Sequence, residues 1–198
     1  SPERGIYGVV RVGARPTGIA VSGDLTRAWV HNALDYTVSE VQLKGGRLVE
    51  TQVIPFAESP LSPEVDRGRR LFFSAVDPRL SQPQLGGLSC SSCHPDGRTD
   101  ALSWALPSGS SSSWDSRALL APRNTPELFR LADTAPYAWD GALADLPTFN
   151  AHMVDQMGGD GLSRVELTDI SAFLGTLEAP DNPNLPSPHG GEVFAEHC

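Results

Sequence analysis

Cys90, Ser91, Ser92, Cys93 and His94 are the residues of this sequence whose types and spacing carry chemistry. Two thiols one short turn apart can each form a thioether with a vinyl group of a porphyrin. The imidazole beside the second thiol can then reach the iron, which is why C-x-x-C-H is the attachment pattern of c-type haem. Three other uses of the same residues compete. A C-x-x-C pair can be a redox dithiol, normally where a strand enters a helix in a βαβ unit, and no such unit is legible around residue 90. It can be half of a zinc site, but no second C-x-x-C exists and the only other cysteine is Cys198. It can also be a plain disulfide. The sequence predicts covalent haem c on Cys90 and Cys93, with His94 as the proximal iron ligand.

A six-coordinate iron needs a second axial ligand, and a thioether there raises its potential. The two methionines are Met153 and Met157. Met157 precedes Gly158 and Gly159, which allow a sharp turn and close approach of backbone to a flat cofactor. Met157 is therefore the expected distal ligand, with core gap-filling as its competing role. Met153 sits one helical turn earlier and is expected to face core, and His152 is the weaker alternative. Arg98 and Arg123 are candidate partners of haem propionates, because guanidinium pairs well with carboxylate, and surface or cap pairing is the other role open to them. Trp104, Tyr137 and Trp139 are candidates to pack on the porphyrin, or ordinary core aromatics. Asp96, Asp100 and Asp140 could bind calcium, but they lack a loop pattern that specifies it. His31, His189 and His197 read as surface histidines.

The elements that must position these residues change character near residue 57. Before it lie short β-rich runs, Gly8 to Val12, Gly18 to Ser22, Arg27 to Asn32, Thr37 to Leu43 and Arg47 to Ile54, separated by turn signals at near ten-residue spacing. Pro55, Pro60 and Pro63 mark the boundary. Ser62-Pro63 then starts a helix with Val65, Leu71, Phe72 and Ala75 on one face, reaching Val76. Thr125-Pro126 predicts a second helix through Leu131. Asp145 caps a third, running to about Met157. Ser163 and Glu166 form a capping box for the clearest helix, with Ile170, Phe173, Leu174 and Leu177 on one face. Ser108 to Ser113 reads as a Gly/Ser loop, and Glu178 to Pro188 as a proline-rich linker.

Composition narrows the functional classes. The chain has 198 residues, 39% hydrophobic and 20% charged, so a buried core is feasible and global disorder is not expected. Its 19 glycines and 17 prolines predict many turns and argue against a helical bundle. The formal charge of −9 disfavours nucleic-acid binding as a main function, and of 15 basic residues only Lys44 is a lysine. No run of 18 apolar residues predicts a membrane span. No signal peptide is visible, and the abrupt start at Ser1 and stop at Cys198 read as a piece of something longer.

Two resemblances follow from these residues. Arg15-Pro16-Thr17-Gly18-Ile19-Ala20-Val21-Ser22-Gly23-Asp24, followed by Arg27 to Asn32 and Asp35 to Ser39, resembles one repeat of the YVTN-type β-propellers. Residues 1–56 are thus expected to form an antiparallel β meander, the remnant of a propeller blade; a plain hairpin layer packed on the next domain is the alternative. Arg67-Gly68-Arg69-Arg70-Leu71-Phe72, Cys90 to His94 and Pro95 to Asp100 resemble the bacterial dihaem cytochrome c peroxidase superfamily. So do Arg123-Asn124-Thr125-Pro126 and Ala135-Pro136-Tyr137-Ala138-Trp139-Asp140-Gly141. This match spans about 60 to 198.

The element order resembles a class I cytochrome c fold, so the chain is expected to be mainly α, with a class I cytochrome c-like haem domain over 57–180. Residues 181–198 are expected to be a linker and the start of a second haem domain. In support, Gly68, Leu71 and Phe72 ahead of the haem motif are matched in register by Gly190, Val193 and Phe194 ahead of Cys198. The resemblance implies a periplasmic or otherwise extracytoplasmic protein and a haem domain that transfers single electrons to a redox partner or second haem domain. It also implies an alternative, hydrogen peroxide reduction at an open haem. Family peroxidatic sites use a removable distal histidine and a glutamate just before a methionine. Here no histidine lies between His94 and His152, and Gln156 precedes Met157, which weakens the peroxidase version. A third reading is a partner-binding module with a structural haem.

Overall fold

The computed structural model describes residues 8–82, 87–107, 120–138, 140–181 and 187–197. Four strands come first: β1 (Pro16–Val21), β2 (Arg27–Asn32), β3 (Thr37–Lys44) and β4 (Arg47–Pro55). They form one antiparallel sheet in the order β1-β2-β3-β4, a meander whose turns fall at the Gly and Asp signals of the sequence. Gly45 and Gly46 supply the positive φ values of the β3–β4 hairpin. The run Gly8 to Val12 is not a strand. Register places Ile19, Val30, Ser39 and Val53 in one row across the sheet, with Val21, Ala28 and Val41 in the next. On that apolar face Val41 is buried, whereas Ile19, Val21 and Val53 stay exposed.

The second part holds α1 (Pro63–Phe72), the one-turn α2 (Cys90–Cys93), β5 (Ser103–Pro107), β6 (Leu120–Asn124), α3 (Leu146–Gln156), α4 (Arg164–Leu174) and α5 (Pro188–His197). Local chemistry explains the ends of the helices. Ser62 precedes Pro63 at the first helical position, the Asp145 carboxylate accepts from the Thr148 N–H at 2.8 Å, and Ser163 with Glu166 completes a capping box. The core is a single cluster in which α1, α3 and α4 contribute Phe72, Val154, Ile170, Phe173 and Leu174, joined by Leu80, Leu128 and Tyr137 from loops. Phe72 and Phe173 pack tilted with centroids 5.2 Å apart. Gly68 brings α1 backbone onto α4, and Asp169 of α4, nearly buried, accepts two hydrogen bonds from Arg67 at 2.7 and 3.0 Å.

These elements correct the expected fold class. The described residues are about 32% helical and 24% strand, so the chain is not mainly α, and the arrangement is not clearly that of a cytochrome c. A two-stranded antiparallel sheet, β5 with β6, lies in a span where no strand was expected. The helix predicted from Thr125-Pro126 does not form. There Leu128 N–H reaches the Gly97 carbonyl at 2.8 Å and Arg130 takes a left-handed backbone (φ 55°), leaving only a 3-10 turn at Leu131–Asp133. Helix α1 stops at Phe72, short of Val76, which is 91% exposed. The proline-rich linker gives way to α5, and Ser108 to Ser113 and Cys198 lie outside the described residues.

The sheet is fastened to α1 through the β2–β3 turn. Asp35 accepts the Ala14 N–H and the Arg70 guanidinium, the latter at 2.6 Å, and Arg70 also donates to the Leu34 carbonyl and to Asp66. Burial pushes the Asp35 carboxyl up, but the Ala14 N–H and Arg70 outweigh it and hold it below its ordinary 3.8. A carboxyl with a folded pKa below its unfolded one gives stability that is full above the unfolded value. That stability is lost as pH falls through the folded value. The chain is therefore expected to weaken below about pH 4, and Asp35→Asn to cost about 1 kcal/mol at pH 7 while flattening the acid loss. Urea midpoints at pH 6 and pH 3 for both chains check this; equal acid losses in the two would exclude Asp35 as the responsible group.

Candidate haem attachment site

The candidate attachment residues sit on the one-turn α2 and the residue that closes it. Ser89, buried, starts α2, and its N–H donates to Ser92 Oγ at 3.0 Å; the His94 N–H returns to the Cys90 carbonyl at 3.0 Å and closes the turn. This single turn places Cys90, Cys93 and His94 on consecutive corners of one short scaffold. The 3-10 turn Pro95–Gly97 follows directly, with His94 at its start and the Gly97 N–H bonded to the His94 carbonyl at 3.1 Å. Gly97 has φ 77° and is buried, and a Cβ there would meet Leu177 at 3.1 Å and Phe129 at 3.6 Å. Glycine therefore lets the turn seat against those two apolar residues.

Cys90 and Cys93 are unpaired. Burial pushes the Cys90 thiol up to about 12, and burial with the nearby Asp100 carboxylate raises that of Cys93. Both are protonated at neutral pH. Thiol–disulfide enzymes rely on a depressed thiol pKa, so this environment is unsuited to a redox dithiol. Among the described residues no group of three or more histidine, cysteine or carboxylate side chains could hold a metal ion. Burial lowers the His94 pKa, against an opposing pull from backbone groups at Pro126 and Arg98 and from Asp100. The imidazole is thus neutral at pH 7, the form that ligates a metal, and its Nδ1 atom is buried without a hydrogen-bond partner. Two protonated thiols and an under-satisfied neutral imidazole on one turn fit covalent haem c.

Met157 ends α3 and packs against the same apolar core as Cys90. The two are linked through Ser81. Ser81 pairs by backbone with Gly158, and its Oγ donates to the Leu88 carbonyl at 2.7 Å, two residues before Cys90. The neighbouring Gln82 N–H donates to the Met157 carbonyl at 3.3 Å. Gly158 has φ 71°, and a Cβ on Gly159 would come within 2.6 Å of the Leu80 carbonyl, so both glycines are required by the approach of this turn to residues 79–82. Ser81 has no local sequence signal; its part arises from pairings seven and 77 residues away in the chain. Met153 and His152 lie half-buried in α3.

The remaining candidates are spread along the chain. Arg98 is exposed with its guanidinium 5.2 Å from the Phe129 ring centre. Arg123 lies in β6, where Nη1 donates to the Pro122 carbonyl at 3.4 Å. Tyr137 is buried in the core against Phe149, its hydroxyl donating to the Ala132 carbonyl at 3.3 Å. Trp139 lies outside the described residues. Trp104 donates from Nε1 to Asp100 at 2.8 Å. Asp96 pairs with Arg15, and the carboxylates of Asp100 and Asp140 each accept backbone N–H groups within their own turns, so calcium has no assembled site among the described residues. None of the described helices is long and apolar enough to cross a membrane.

The family model for di-haem cytochrome c peroxidase matches residues 62–178, a span that runs from the cap of α1 to just past α4 and contains Cys90, Cys93, His94 and Met157. No curated protein matches the chain. Among solved structures, hydrazine synthase of Kuenenia stuttgartiensis, pressurized with xenon, is similar at 21% identity with a TM-score of 0.49, covering 71% of this chain. The chain spans about half, 47%, of the length of that structure's chain.

Proposed function

The chain belongs to the di-haem cytochrome c peroxidase family, and on that premise we propose that it is an electron-transfer domain carrying one haem c. The family implies haem c as the cofactor. The observation that carries the reading is the α2 turn, where Cys90, Cys93 and an under-satisfied His94 stand together. Cys90 and Cys93 would hold the haem by thioethers, and His94 would ligate its iron. Met157, brought towards the α2 segment by Ser81, would be the second protein ligand of the iron and would then keep peroxide from it. When bound, the haem supplies a one-electron iron couple. Arg98 and Arg123 would offer charge to propionates, and Tyr137 would support the porphyrin face. Gln156, beside Met157, cannot exchange a proton as a carboxylic acid would, which favours electron transfer over peroxide chemistry.

The organisation that goes with this function is a β unit over 1–56, a haem-binding unit over 57–180, and a connection to a second haem unit over 181–198. Apolar Ile19, Val21 and Val53, exposed on one sheet face, support reading the β unit as a propeller-blade remnant. The partner is a redox protein or second haem domain. The setting is periplasmic or otherwise outside the cytoplasm, where thioether attachment takes place.

The test is spectroscopy of the chain produced with haem maturation. A haemochrome spectrum of one haem per chain, and a low-spin ferric form with a thioether-to-iron band, are expected. A high-spin ferric form with saturable peroxide turnover would overturn the electron-transfer reading in favour of a peroxidase.

A further inference from the structure

We propose that Arg15, which lies just ahead of β1, is a positioning residue for His94, holding the turn that carries the histidine against the end of α1; the link to haem rests on the function proposed above. The Arg15 guanidinium lies 3.6 Å from the centre of the Phe73 ring, at the end of α1, and its Nη2 is 3.3 Å from Asp96 Oδ1. Phe73 is packed in turn on Phe72, with ring centres 5.0 Å apart. One side chain therefore joins three elements, and the two ends of its ion pair are 81 residues apart in the chain.

Asp96 is no passive partner. It is the middle residue of the Pro95–Gly97 turn, whose first carbonyl belongs to His94. A shift of Asp96 must move that carbonyl or break the Gly97 N–H bond to it. Arg15 and Asp96 both have left-handed backbones, at φ 52° and 51°, conformations that non-glycine residues keep only where surrounding contacts impose them. For Arg15 the contacts are evident: its carbonyl accepts from the Ala33 N–H at 3.0 Å, and neighbouring Ala14 is bonded to Leu34 and Asp35. Asp35 is bound to Arg70 of α1. The guanidinium is thus held from behind by the sheet and presented to the turn after His94.

An exposed ion pair alone is weak, and a stacked guanidinium adds a comparable amount. Together they predict local opening of the turn, not loss of the fold. In the chain without haem, Arg15→Ala is expected to speed amide exchange at Gly97, Arg98 and Leu128 by about tenfold, with Ile170 and Phe173 of α4 unchanged. Arg15→Lys, which keeps the charge, is expected to restore part of the protection. In the haem-loaded chain, Arg15→Ala is expected to shift the midpoint potential more than Arg47→Ala, which removes the same charge at the far β3–β4 hairpin. Unchanged exchange at Gly97 and Arg98, equal acceleration in α4, or potentials that move alike in both variants would overturn the proposal. A wild-type chain that takes up no haem would overturn the haem reading alone, because the exchange measurement stands without it.

Discussion

Replacing both thiols, with Cys90→Ala and Cys93→Ala together, is expected to remove all haem that survives acid–acetone extraction, while far-ultraviolet circular dichroism stays that of the parent chain. Each thiol would add across one vinyl group, so that a carbon–sulfur bond forms and the thiol hydrogen passes to the neighbouring carbon, without net oxidation. One remaining cysteine can still form one such bond; only the double variant leaves none. The fold should tolerate the change. Cys90 sits at the margin of the core and Cys93 is half-buried, and α2 is held by backbone and serine hydrogen bonds that the substitution leaves in place. Covalently retained haem in the double variant would exclude these thiols as the attachment points. Loss of helical signal along with haem would instead show that the thiols are needed for folding.

Gly68→Ala is expected to destabilise the chain by about 3 kcal/mol, at the upper end of overpacking costs, and to lower the melting temperature by about 6–12 °C. Helix propensity alone predicts the opposite, since alanine is better than glycine in a helix interior by about 1 kcal/mol. Sterics decide the sign. A Cβ on Gly68 would overlap the Asp169 carbonyl and lie 2.9 Å from the Ile170 nitrogen, and backbone of a packed helix cannot turn aside as a flexible side chain can. The helices would have to separate, which loosens Phe72 against Phe173 and distorts the Arg67 fork on nearly buried Asp169. Thermal melts of both chains check this. A melting temperature equal to or above that of the parent would mean that α1 and α4 are not in backbone contact.

Gly68 also illustrates what was readable beforehand. Its helix was legible from Ser62-Pro63 and the apolar spacing that follows, whereas Gly68 itself entered only through the family resemblance and the repeat ahead of Cys198. The Asp145 cap, the Ser163 and Glu166 box and the β meander were legible for the same reason: each depends on residues within a few positions of one another. The C-x-x-C-H turn is the extreme case, five residues long. Elements ruled by distant partners were misread. Strand β5 pairs with β6 across a loop that carries no alternating pattern, and both strands contain prolines. The Thr125-Pro126 start was a sound local helix signal, overridden when Leu128 bonded to the Gly97 carbonyl. The mainly α expectation failed because both errors fell in the same stretch.

What local sequence fixes, then, is the set of candidate donor atoms, two thiols and an imidazole on one turn, together with the capped helices that carry the core. Local hydrogen bonding and covalent spacing depend on near neighbours, and near neighbours are written in order. Tertiary packing alone sets α1 on α4 through Gly68, ties the Met157 turn through Ser81 to the segment ahead of Cys90, and brings Arg15, just ahead of β1, to the turn after His94. Except for the Ser81–Leu88 bond, those contacts join residues about 80 to 100 positions apart. Packing and electrostatics select them once the chain is compact, and no spacing within the sequence encodes them.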